Sequence, residues 1–302
     1  MSPPDNTPDG ELVKVSGFTF LKNAQKLGYP FVASINSILP IVDEFVIALG
    51  PCDDQTEAMI ASINSPKIRI IHTHWNETIR NDLRLKGFVF GQQKSVALFN
   101  CTGDWAFYLE GDEVLHEDDL PTIQESMRKH LPDKRVEALV FDYLHFYGNK
   151  NTCAWSPRWY RKAPRIIRNN IPSFSTDSLF FNVIENHRRA RYPRAAVTGA
   201  TIYHYGWVRS EAQMNIKHAF MDKFFRDKVS VCDYSEIDSE TLRLFTKAHP
   251  KVVQDWLPPA KGLFQANPGH RLTKREKKHR LMLKLERWLG MEFSKKHYQL
   301  VR

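Results

Sequence analysis

A rhythm in the first 110 residues restricts this chain most. Four short apolar runs stand out: Leu12 to Phe20 (LVKVSGFTF), Glu44 to Leu49 (EFVIAL), Lys67 to Ile71 (KIRII) and Trp105 to Leu109 (WAFYL). They are short and rich in β-branched and aromatic residues, as strands are. Stretches with helical spacing separate them: Leu21 to Leu39, broken into two pieces by Gly28 and Pro30; Glu57 to Ile63; and Phe90 to Phe99, with Gln92, Gln93 and Lys94. Strands alternating with helices predict an α/β fold, a mostly parallel sheet with helices on both faces. Such sheets bind ligands outside the carboxyl ends of their strands. Two acidic loops fall at such ends: GPCDDQT, with Asp53 and Asp54, and Glu110-Gly111-Asp112-Glu113.

Further along, Glu137 to Phe146 and Ala195 to Tyr205 read as strands, and Arg209 to Lys228 as a helix. The length of 302 residues allows one large domain, or a domain with an extension. No apolar run approaches the roughly 20 residues needed to span a bilayer. The start, MSPPDNTPDGE, lacks a basic segment followed by an apolar core, so residues 1–11 are expected to be a disordered lead-in rather than a secretory signal. Cys52, Cys101, Cys153 and Cys232 lie far apart without a CxxC pair, which argues for a reducing, cytoplasmic setting. The net charge is +9, of which residues 271–302 supply +8. A body this close to neutral argues against nucleic acid as a partner.

Glu110 and Asp112 are two residues apart on extended backbone, so their side chains share a side. Oxygen ligands of this kind suit Mg2+ or Mn2+, and a cation held by one or two carboxylates keeps positions open for substrate phosphates. The motif therefore suits cleavage of a bond to a nucleoside diphosphate.

The order of segments resembles the family-2 glycosyltransferases of the GT-A fold, and in particular their bacterial sugar-transferring branch. VSGFTFLKNA looks like the first strand and its turn. VDEFVIALGPCDDQT looks like the second strand with its acidic loop. QQKSVALFNCTGDWAFYLEGDE is similar to the stretch that ends in the D-x-D motif. PRIIRNN resembles the R-L-F-R strand, and YHYGWVRSEAQMNIK the closing His-Tyr segment and the helix after it. The resemblance covers roughly residues 12–228. It implies a GT-A domain over 12–228, with a nucleotide-sugar half (12–120) and an acceptor half (121–228), followed by a basic helical extension (229–302).

It also implies a metal-dependent inverting transfer from a nucleotide sugar to a glycan or lipid-linked acceptor, of the kind used in cell-envelope polysaccharide synthesis. On this resemblance Asp112 is the metal ligand, with Glu110 and His204 beside it, and Lys94, Asp54, Phe18 and Thr19 contact the donor. Glu113 is the acidic residue that follows the motif. Asp177 is the general base, with Asp142 and Glu185 in reserve. Trp155, Arg165 and Trp207 lie on the acceptor side. One departure is plain: Leu49 and Gly50 stand where the family has its base-contacting Asp-Asp.

Two other readings stay open. A sugar nucleotidyltransferase has a related sheet, but FLKNAQK lacks its Gly-rich basic loop. A non-catalytic module bound to membrane or RNA is the other. The tail bears on the latter: Leu281, Met282, Leu285, Trp288 and Leu289 form one helical stripe among lysines and arginines. Such a helix suits peripheral contact with the anionic inner face of a membrane; the alternatives are packing on the body or pairing in a homodimer.

Overall fold

The computed structural model describes residues 13–81, 86–225 and 228–301. The expected lead-in, Leu12 and Arg302 lie outside the described residues. The elements follow in order: β1 (Val15–Leu21), α1 (Phe31–Ile38), β2 (Glu44–Leu49), α2 (Thr56–Ala61), β3 (Ile68–His72), α3 (Phe88–Phe99), β4 (Trp105–Tyr108), β5 (Glu113–Leu115), α4 (Leu120–His130), β6 (Ala138–Tyr147), β7 (Asn149–Ala154), β8 (Lys162–Arg168), β9 (Ser173–Phe174), β10 (Asn182–Asn186), β11 (Arg189–Arg191), β12 (Arg194–Trp207), α5 (Glu211–Met221), β13 (Leu242–Leu244), α6 (Lys274–Leu289) and β14 (Gln299–Leu300).

One mixed sheet organises the chain. Its first half, in the order β3-β2-β1-β4, is wholly parallel. Beyond β4, β8 and β6 add antiparallel pairings. β12 runs parallel to β6 and antiparallel to β5, which sets His204 opposite Glu113. Alternate side chains feed two cores. Phe45, Ile47 and Leu49 pack with Phe31, Ile35 and Ile38 of α1, Ile60 of α2 and Ile123 of α4. Val46, Ala48 and Tyr108 pack on the other face with Ala97 and Leu98 of α3. Both faces are thus covered, and the strands that read as continuous apolar runs are the doubly buried ones.

Three expectations shift. The first helical piece after Phe20 is a pair of turns, in which Asn23 (φ 50) and Gly28 (φ +67) take left-handed backbone, so a helix starts only beyond Pro30. α5 ends at Met221, because Phe224 and Phe225 fold back in a tighter turn against Phe90. The sheet also continues past residue 228: β13 pairs with β7 and β14 with β12. α6 has a capping box between Thr273 and Glu276 and stops at Gly290 in left-handed backbone, φ +64.

Candidate functional site

In the order 3-2-1-4, the connections leave β1 on opposite sides, and a crevice opens between the loops that follow β1 and β4. A cavity of about 60 Å3 lies there, lined by Lys22, Tyr29, Trp75, Tyr108, Glu110 and Ser178 among others. The acidic turn forms its floor. Glu113, fully buried, anchors that turn: it takes a bidentate pair from Arg165 (2.8 and 2.6 Å), the Tyr143 hydroxyl (2.9 Å) and the Glu110 backbone N–H (3.1 Å). Burial alone would raise the Glu113 carboxyl, but the Arg165 charge and its hydrogen bonds hold it below the ordinary range. Sequence reasoning gave Glu113 a supporting charge and set Arg165 on the acceptor side. Here Arg165 is fully buried beneath the turn, because it is the counter-ion of Glu113.

Asp112 is 2% exposed. Its Oδ2 faces Lys217 Nζ (3.1 Å) and Arg209 Nη2 (3.5 Å), whose charges lie over the Tyr29 ring. Its Oδ1 is buried with no hydrogen-bond partner and stands 3.6 Å from His204 Nε2. Burial opposes the Asp112 charge, yet Lys217 and Arg209 keep the carboxyl well below its usual value.

The tautomer of His204 follows from its neighbours. A carbonyl oxygen only accepts, so the contact of His145 Nε2 with Tyr160 O (2.7 Å) places a proton on Nε2. Burial pushes the His145 ring well below its ordinary pKa, so it is neutral and its Nδ1 is a lone pair. His204 Nδ1, 3.0 Å away, must then be the donor. Burial lowers the His204 pKa against the opposing pull of Asp112 and Glu113, and in the neutral ring, with Nδ1 as the donor, Nε2 presents a lone pair to Asp112 Oδ1. Two acceptors facing each other in a buried site repel unless a cation lies between them. Gly206 makes room for this arrangement, since a Cβ there would lie 2.6 Å from His204 Nε2 and 3.2 Å from Asp112 Oδ2. Among the described residues no group of three or more metal-ligating side chains forms. A divalent ion with two protein ligands completed by phosphate oxygens needs no such group. The donor set therefore fits Mg2+ or Mn2+ at Asp112 and His204.

The Glu110 side chain is 24% exposed and 3.7 Å from Arg165; burial and the charge of Glu113 push its carboxyl up to about 8. Lys94, expected beside the diphosphate, is instead fully buried under Tyr108 and Phe181, and donates to the carbonyls of Ser178 (3.0 Å) and Phe180 (3.3 Å). Arg165 takes the intervening carbonyl, Leu179 O (2.7 Å). Two buried basic side chains thus hold the loop of Asp177, whose Oδ1 accepts from the N–H groups of Leu179 and Phe180 (2.8 and 3.3 Å). Ser178 reaches the cavity wall.

The remaining candidates lie elsewhere. Phe18 is a core ring against Tyr108 and Phe181, and the Thr19 hydroxyl is spent on Leu109 O (2.6 Å), so neither side chain is open to a ligand. Asp54 caps its own loop through the N–H groups of Lys26 and Thr56. Asp142 pairs with Lys162, and Glu185 with Arg191. Trp155 is sandwiched by Arg161 and Arg243, and Trp207 packs on Trp159 and Tyr147. At the second strand's end, a Cβ on Gly50 would lie 2.4 Å from Trp75 Nε1, so the indole occupies the room a longer side chain would need. Sequence reasoning missed Arg209, Lys217, His145 and Trp75. The only visible signal was that Arg209 and Lys217 flank the first turns of a helix that directly follows His204.

No family model matches this chain, and no curated protein matches it. Among solved structures it is similar to S. aureus TarS, at 14% identity and TM-score 0.35, over 52% of this chain and 28% of that one. A shorter form, TarS 1-349, gives 16% identity and TM-score 0.35 over 52% of this chain and 47% of that one. A third is glucosyl-3-phosphoglycerate synthase from Mycobacterium tuberculosis in complex with Mn2+, uridine-diphosphate and phosphoglyceric acid, at 17% identity and TM-score 0.32 over 44% of each chain. This chain spans less than half the length of each. Likeness so distant bears no weight on the site, which stands on its own geometry.

Proposed function

We propose that this chain is an inverting glycosyltransferase of the GT-A type. It would move a sugar from a nucleotide-sugar donor to a hydroxyl of a glycan or lipid-linked acceptor. One observation carries this: at the switch-point crevice, a buried carboxylate turns one oxygen to Lys217 and Arg209 and the other, without a hydrogen-bond partner, to His204 Nε2. The first half of that arrangement suits a diphosphate alongside, the second a divalent ion.

The reaction is a single displacement. An acceptor hydroxyl forms a bond to the anomeric carbon as the bond from that carbon to the diphosphate oxygen breaks, and the hydroxyl proton passes to the Asp177 carboxylate. Lys94 and Arg165 act through the loop, fixing Asp177 rather than touching the donor. Lys217 and Arg209 neutralise charge as it builds on the leaving diphosphate. Mg2+ or Mn2+, held by Asp112 and His204, supplies Lewis-acid stabilisation when bound. The base of the donor stacks on the wall of Trp75 and Phe20 instead of meeting a carboxylate. Phe220 and Met221 of α5 also line the cavity.

The test is nucleoside diphosphate release from a panel of nucleotide sugars with Mn2+ and acceptor. Asp112→Ala should reduce turnover at least about a hundredfold, the scale of losing one electrostatic stabiliser. Full turnover in that variant ends the proposal.

A further inference from the structure

α6 does not dock on the body through its apolar stripe. Its body-facing residues are Leu283 and Glu286, and Glu286 pairs with Arg161 (2.8 Å) and caps the Phe293 N–H (2.7 Å). Arg280 adds a bidentate pair with Asp238 (2.7 and 2.6 Å). The stripe points the opposite way: Leu281, Leu285, Trp288 and Leu289 are 58%, 37%, 80% and 46% exposed. At 3.6 residues per turn they span an arc of roughly 100°. Lys277 and Lys284 line one edge of that arc, and Lys274 and Lys278 continue it toward the helix start; all four are exposed. Capping at both ends means the helix is already formed on the protein.

We propose that this face of α6 is a docking surface for an anionic lipid bilayer. Charge complementarity selects the occupant. A second copy meeting the stripe across a two-fold axis would set lysine edge against lysine edge. The carboxylates of the helix cannot offset them, because Glu276 is held in the capping box and Glu286 by Arg161. RNA would use the lysines and leave Trp288 and the leucines in water. An anionic leaflet uses both: leucines enter the acyl boundary, Trp288 sits at headgroup level, and lysines reach lipid phosphates. This face shares no residue with the donor site.

The test is co-sedimentation of the full chain with phosphatidylcholine vesicles, with and without phosphatidylglycerol. The wild type should bind only the anionic vesicles and lose binding at high salt. Leu285→Ser with Trp288→Ser should weaken binding by about tenfold or more while the thermal melt stays unchanged, because both side chains already face solvent. Lys277→Gln with Lys284→Gln is the second variant, and should reduce binding without touching the apolar stripe. Absence of binding to anionic vesicles, or binding by both variants equal to that of the wild type, overturns the proposal. So does a wild-type dimer in sedimentation velocity that the Leu285/Trp288 variant abolishes, since the face would then belong to a second copy.

Discussion

Asp112 divides its two oxygens between different partners. Oδ2 meets Lys217 and Arg209, while Oδ1 meets only the Nε2 side of His204. On the proposed reading the lysine serves both the carboxylate and the donor diphosphate. Lys217→Met should then lower nucleoside diphosphate affinity about tenfold to a hundredfold, the value of one charged hydrogen bond, about 1.5–3 kcal/mol. Calorimetric titration checks this, and unchanged affinity in the variant would remove Lys217 from the site. Asp112 and His204 were legible in the sequence because each lies in a recognisable ordered segment. Lys217 and His145 were not, since their partners lie far along the chain. Lys217 meets Asp112 across 105 residues of chain, and His145 meets His204 across 59. Lys94 and Arg165 were assigned to ligands because a sequence shows charge but not burial, and here Lys94 is turned inward onto backbone carbonyls and Arg165 onto Glu113.

At the scale of elements, the loop of Asp177 is packed against α3. Gly91 has no side chain there: a Cβ would lie 2.4 Å from the carbonyl carbon of Thr176 and 2.6 Å from the Asp177 nitrogen. Backbone cannot yield as a flexible side chain does, so Gly91→Ala should cost about 1–3 kcal/mol of stability. It should also lower kcat more than it raises KM, since it displaces the base and not the donor contacts. Chemical denaturation and steady-state kinetics measure the two effects, and a variant matching wild type in both would show that α3 does not position the loop. The long elements were readable. EFVIAL coincides with β2, and α3, β4, β6 and β12 fall within a few residues of expectation. The short strands β5, β7, β13 and β14 were not, because two to six residues hold too little periodicity and their partners lie far along the chain.

At the scale of the whole molecule, ion pairs tie the second half of the sheet together. Glu137, just ahead of β6, accepts from Arg191 (2.7 Å to each oxygen) and Arg194 (2.8 Å) at the start of β12. Burial would raise its carboxyl, but the hydrogen bonds from Arg191 and Arg194 bring it from the ordinary 4.5 down to about 2. A depressed carboxyl contributes stability that is present above 4.5 and lost as pH falls toward about 2. Glu137→Gln should therefore destabilise the protein by about 2 kcal/mol at neutral pH, and the gap to wild type should close in acid. Denaturation midpoints across that window test it, and a gap independent of pH would contradict the assignment. The parallel half was foreseeable from the alternation of apolar runs with helices. The β12 crossing that delivers His204 to Glu113 was not, because pairing order among distant strands leaves no local pattern.

The proposed function requires a cation between Asp112 and His204 that meets a diphosphate there. The most direct measurement is the anomalous diffraction signal of Mn2+ in crystals grown with Mn2+ and a nucleoside diphosphate. The proposed function predicts a single strong peak bonded to Asp112 Oδ1 and His204 Nε2, with diphosphate oxygens completing its shell beside Lys217. A diphosphate bound with no peak at that position, or a peak away from both residues, would contradict it.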